Sequence, residues 1–294
     1  MAEPAPQGVI RIPVPPSERE MRRPLAQRRP VLIEGGMKSW PAFTRWTLDY
    51  LIEHAGSCEV SIRNYTENVG VPRHLWKRYC ETQKTTFGAY LEKIRAGTAK
   101  SIYLAQVSIP KDLKPLLADI EKPRFLNYSS HDPVIWIGPG GHVEPLHFDT
   151  AHSVIGEVVG RKRVRLFSPK NYFALYPFPL WSPIGSSFSR VDVDHPDLAL
   201  FPRAAEARSI ECTLEAGDVL FIPAGWWHQV YCLDTHAISV TYFCERRSSE
   251  LLTDLKDPWC SHFEATNFVR GKLATAKSIG ERRVAAARRM FGAA

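Results

Sequence analysis

His147 and Asp149 stand two residues apart in the run Glu144-Pro145-Leu146-His147-Phe148-Asp149. Successive residues of a strand face opposite sides, so this spacing puts an imidazole and a carboxylate on one face. A third ligand is available from His228, which follows the apolar run Val219-Leu220-Phe221-Ile222 and the turn Pro223-Ala224-Gly225. Two imidazoles and one carboxylate on one face leave three coordination positions open, the donor set of non-haem iron(II) oxygenases. His147, Asp149 and His228 are therefore the candidate metal ligands and catalytic centre.

A lone His-x-Asp pair is weak evidence, and the flanking residues add the weight. Gly138-Pro139-Gly140-Gly141 precedes the pair, and Ser153 to Pro169 reads as two strands joined as a hairpin at Gly160-Arg161. On these ordered motifs, residues from about Arg29 to Arg246 resemble the cupin-like JmjC hydroxylases. The resemblance implies a mainly β fold, a double-stranded β-helix or jelly roll, with flanking N-terminal α/β elements and C-terminal helices. It implies Fe(II) as the metal and 2-oxoglutarate as co-substrate, bound through its keto and C1-carboxylate oxygens, with hydroxylation of a C–H bond and release of succinate and CO2.

The same resemblance assigns the other end of the co-substrate. In that family a lysine 15 positions after the first metal histidine anchors the C5-carboxylate, and that position is Lys162, set among Arg161, Arg163 and Arg165. Its ammonium acts as a point charge for a carboxylate. Tyr103, in Tyr103-Leu104-Ala105-Gln106, matches a family tyrosine whose hydroxyl helps hold that carboxylate, and Ser153 stands where relatives carry Asn near the co-substrate. One position departs from the pattern: three residues before the first metal histidine the family has Ser or Thr, and this chain has Glu144. A carboxylate facing 2-oxoglutarate repels it, so either Glu144 points away or the pocket is altered.

The elements that must position these residues are bounded by composition. A chain of 294 residues, 44% hydrophobic, builds one principal domain with appendages. No apolar run reaches membrane-spanning length and the Pro-rich start lacks a signal peptide's apolar segment, so an intracellular, cytoplasmic protein is expected. Six cysteines without Cys-x-x-Cys spacing disfavour a zinc ribbon or redox dithiol. The formal charge of +7 leaves room for an acidic partner, yet it is spread along the chain without a nucleic-acid-binding motif. The resemblance to the cupin-like JmjC hydroxylases implies a protein or peptide substrate ahead of nucleic acid.

Three regions are expected: a flexible N-terminal arm at 1–24, the oxygenase domain at 25–246 and a C-terminal helical region at 247–294. Within the domain, Thr47 and Thr86 cap helices that end near Gly56 and Gly97. The aromatic, Pro-rich insertion from Pro169 to about Arg208 either forms a lid or substrate wall, or packs against the barrel. Past the barrel, Leu252, Leu255 and Trp259, then Leu273, Val284 and Phe291, trace an apolar stripe. A homodimer through these helices is the expectation, with packing on the chain's own barrel as the alternative.

The leading functional reading is a hydroxylase of a protein or peptide side chain. A hydroxylase of a small molecule or tRNA base stays open, as does a non-catalytic binding protein on a cupin barrel. Against the last, a purely structural barrel has no need to bury His147, Asp149, His228 and Lys162 together.

Overall fold

The computed structural model describes residues 8–13, 17–65, 75, 80–123, 130–179, 181–182, 184–262 and 264–265. The N-terminal half contains β1 (Ile10–Pro13), α1 (Glu18–Ala26), β2 (Val31–Glu34), α2 (Pro41–Arg45), α3 (Leu48–Ala55), β3 (Glu59–Asn64), β4 (Glu81–Thr86), α4 (Phe87–Arg95), β5 (Ile102–Ser108) and α5 (Ile109–Asp112). The remainder contains β6 (Val134–Pro139), β7 (Val143–Phe148), β8 (His152–Val159), β9 (Lys162–Phe167), β10 (Ser209–Leu214), β11 (Val219–Ile222), β12 (Trp227–Cys232), β13 (His236–Cys244) and α6 (Ser248–Asp254).

The strands form two sheets. The larger has the order β1-β2-β11-β8-β13-β6-β5-β3-β4, and the smaller β10-β9-β12-β7. From β7 onward the chain passes back and forth between them, which is the jelly-roll arrangement. The strands β8 and β9, expected as a hairpin, belong to different sheets. Gly160 makes the crossing with φ of 75°, and a Cβ there would lie 2.3 Å from the His236 carbonyl oxygen, so only glycine fits the corner.

Local sequence explains the individual elements. The Thr47 and Thr86 hydroxyls accept from the Tyr50 and Ala89 amides at 3.2 and 3.3 Å, as the capping pattern predicts. β11 is buried at every residue, matching its unbroken apolar run between β2 and β8. β9 alternates instead: Lys162, Val164 and Leu166 turn inward while Arg163 and Arg165 stay partly exposed. β4, Glu-Thr-Gln-Lys-Thr-Thr, is polar because it is an edge strand bonded only to β3.

The first 24 residues do not behave as an arm throughout. β1 pairs in parallel with β2, and Met21 of α1 is fully buried. Three apolar residues of Ile10–Pro13 and a single inward methionine suffice to dock a segment whose composition is otherwise polar.

Between the sheets, Leu32, Val164, Leu166, Ile210, Cys212, Leu214, Leu220 and Ile222 form an apolar plug. Beside it a cavity of about 240 Å3 remains open, lined from both sheets. Residues up to Ser248 form one compact unit and those from Ser249 a second. In the second, Trp259 is buried while Leu252 and Leu255 are exposed, so the expected stripe is split; Leu273, Val284 and Phe291 lie outside the described residues.

Candidate metal centre

β7 and β12 are antiparallel neighbours in the small sheet, and His228 sits directly opposite His147. Asp149 follows the last residue of β7, and its carbonyl accepts from the Gly225 amide at 2.8 Å, tying the pair to the turn that delivers His228. One ligand atom from each of the three residues lies within 4.8 Å of the others. The sequence-predicted triad is thus brought together.

Backbone carbonyls set the chemistry of both imidazoles. His147 Nδ1 lies 2.8 Å from the Pro145 oxygen and His228 Nδ1 3.1 Å from the Trp226 oxygen. A carbonyl only accepts, so each Nδ1 carries a proton, which leaves Nε2 as the nitrogen that can offer a lone pair to a metal. Burial, then the neighbouring His147, lowers the His228 pKa to about 4, so the ring is neutral at physiological pH. The Ser153 hydroxyl donates to Asp149 Oδ2 at 2.6 Å and aims that carboxylate at His228 Nε2, 3.6 Å away. Two imidazole nitrogens and one oriented carboxylate oxygen fit a divalent iron ion.

Lys162, Tyr103 and Ser153 line the same cavity as the triad. Lys162 enters from β9 and is 3% exposed. Tyr103 enters from β5 and stacks on His142, with centroids 3.9 Å apart. A Cβ at Gly138 would stand 2.9 Å from both the Tyr103 ring and Cys232 Sγ, which gives Gly138 its reason. Ser153, expected near the co-substrate, makes its hydrogen bond to the metal carboxylate.

Glu144 does not point away. It lines the cavity, and Arg63 at the end of β3 donates to its Oε1 at 3.2 Å, with His142 Nε2 3.7 Å from Oε2. Burial pushes the Glu144 carboxyl up, but His142, Arg63 and His147 together outweigh it and hold the group down at about 2. The pocket is therefore altered by an internal ion pair rather than by a bare carboxylate.

Sequence reasoning missed Arg63, Glu157 and Ser239. The Lys162 ammonium donates to the Ser239 hydroxyl, which donates to Glu157 Oε2 at 2.8 Å. One signal was present: an acidic residue inside Val154-Ile155-Gly156-Glu157-Val158-Val159 requires a buried partner.

The insertion packs against the small sheet and also lines the cavity. Ser187 and Ser189 bond to the edge of β7, through Phe148 N to Ser187 O at 3.0 Å and Ser189 N to Leu146 O at 2.9 Å. Phe188 between them stacks on His147 at 5.2 Å and walls the cavity. Further along, Asp194 accepts from Tyr231 and Gln229 of β12 at 2.6 and 3.1 Å, fastening the insertion to the small sheet.

Residues 16–250 match the family described as a cupin-like domain. Lysine-specific demethylase 8 of Xenopus tropicalis is 34% identical over 229 residues, covering 74% of this chain and 48% of that protein. The Danio rerio protein of the same name is 36% identical over 247 residues, covering 80% and 58%. Human tRNA wybutosine-synthesizing protein 5 is 31% identical over 297 residues, covering 93% of this chain and 90% of that protein. The chain thus spans about half the length of the demethylase relatives and nearly all of the human one. Given a matched region that contains every strand from β2 to β13, the triad and Lys162, the chain belongs to the cupin-like JmjC domain family, whose members normally use Fe(II) and 2-oxoglutarate.

Proposed function

We propose that this protein is an Fe(II)- and 2-oxoglutarate-dependent oxygenase that hydroxylates a side chain of a protein or peptide. The observation that carries the reading is the juxtaposition of His147, Asp149 and His228 with a buried lysine in one cavity. When bound, iron and 2-oxoglutarate supply the oxidation of a C–H bond by dioxygen, with succinate and CO2 as the other products.

The chain's own residues do the placing. His147 and His228 offer Nε2 because Pro145 and Trp226 hold their Nδ1 protons. Ser153 orients Asp149, and Lys162 supplies the charge for the distal carboxylate, with Tyr103 lining the same cavity. Phe188 stacked on His147 keeps bulk water from that side of the metal position.

Lysine-specific demethylases among the relatives support a protein substrate. A tRNA base is the second reading, favoured by the near full-length match to human tRNA wybutosine-synthesizing protein 5 and by the charge of +7. A homodimer through the region after Ser248 completes the proposal, tested by light scattering on the full chain and on one truncated after Arg247. Incubating the protein with Fe(II), ascorbate and 2-oxoglutarate, then with peptide pools or tRNA, tests the substrate readings. A gain of one oxygen in peptide supports the first, a gain in tRNA alone replaces it with the second, and no succinate under any condition overturns both.

A further inference from the structure

The cation assigned to the co-substrate already has an anion. Lys162 reaches Glu157 through Ser239, and its nitrogen lies 3.8 Å from Glu157 Oε2. Lys162, Ser239 and Glu157 are 3%, 1% and 0% exposed, and the first two line the cavity. Glu157 Oε1 has no hydrogen-bond partner among the described residues.

The surrounding groups leave this pair isolated. Arg63 is engaged by Glu144. Asp234, in the turn after β12, is held by Arg161 at 2.9 Å. The Asp218 carboxylate, before β11, accepts from the Gly35 and Glu215 amides. Burial keeps Cys232 on β12 protonated, pushed up to about 11, and holds His142 below its ordinary value. Lys162 and Glu157 thus face each other through Ser239 in a buried site, and they form a cation–anion pair wherever Glu157 is ionised.

A carboxylate arriving at Lys162 places two anions around that one cation, and like charges in low dielectric are not both retained. The arrangement offers one remedy within hydrogen-bond reach: a neutral Glu157 still accepts from Ser239. We propose that Glu157 is a positioning residue for the co-substrate anchor, and that, wherever Glu157 is ionised in the free protein, filling the anchor with a dicarboxylate draws one proton from solvent onto it. The inference rests on the oxygenase reading above and adds to it the partner that sets the charge of Lys162.

Burial supports the direction: against the pull of Lys162 and Ser239 it pushes the Glu157 carboxyl up to about 8. An added anion raises it further, so proton uptake accompanies binding wherever Glu157 starts ionised. Binding is then flat with pH well below 8 and weakens up to about tenfold per unit above it.

The test is 2-oxoglutarate titration of the manganese-loaded protein by calorimetry, from about pH 6.5 to about pH 9, in two buffers of different ionisation enthalpy. The unaltered protein should take up close to one proton at the alkaline end and close to none at the acid end. Glu157→Gln should bind with no alkaline weakening and no proton uptake. Binding without proton uptake at the alkaline end overturns the inference on the unaltered protein alone, whatever the variant does. Parallel pH profiles for both proteins also overturn it. Absence of 2-oxoglutarate binding at every pH overturns the oxygenase reading, and the inference with it.

Discussion

His147 and His228 face each other across β7 and β12, with ring centroids 4.2 Å apart and each Nδ1 bonded to the carbonyl of the residue two before it. The repeated i to i−2 contact holds both rings, and Phe188 stacks on that of His147 as well. Only Asp149 depends on a partner from the other sheet, Ser153 of β8.

Ser153→Ala should therefore loosen the metal without dismantling the site. Losing the orienting partner of a metal carboxylate costs about 10- to 100-fold in metal affinity. Metal titration followed by equilibrium dialysis reads this directly, with an unchanged melting temperature. Unaltered metal affinity returns Ser153 to the co-substrate role that its sequence position implied.

Lys162→Met should weaken 2-oxoglutarate by about one to two decades, equivalent to roughly 1.5–3 kcal/mol for a charge-assisted contact. Metal affinity should stay the same, because Lys162 makes no contact with the triad among its hydrogen bonds. Calorimetric titration of both ligands separates the outcomes, and equal losses for metal and co-substrate refute the anchor.

Arg63→Met leaves Glu144 buried without its cation, which should cost about 3 kcal/mol at neutral pH. A carboxyl held at about 2 against an ordinary 4.5 contributes stability above the unfolded value and loses it as pH falls towards 2. The gap between the two proteins should accordingly shrink below about pH 4. Glu144→Gln in the Arg63→Met background should recover most of the neutral-pH loss. Denaturant melts at neutral and acid pH check both statements, and equal stability at neutral pH contradicts the ion pair.

The metal ligands were legible because their spacing is local: two residues on one strand, and a turn motif before the third. Lys162 was singled out from Arg163 and Arg165 by its position 15 residues after His147, which the family resemblance implies, and β9 buries it on the same side as Val164 and Leu166. What sequence periodicity does not encode is which sheet a strand joins. For that reason Ser153 to Ser168 reads as a hairpin although β8 and β9 lie in opposite sheets. Arg63 was hidden for the same reason, since its partner Glu144 comes from the far side of the cavity. β4 left no apolar signal at all, being an edge strand with polar residues throughout.

The most direct test of the central claim is Fe(II) binding and 2-oxoglutarate turnover in the unaltered protein beside His147→Ala, Asp149→Ala and His228→Ala. One Fe(II) per chain with succinate release is expected for the unaltered protein, and neither for the variants, with near-native circular dichroism throughout. Normal succinate release by any of the three, or failure of the unaltered protein to bind Fe(II), contradicts the assignment.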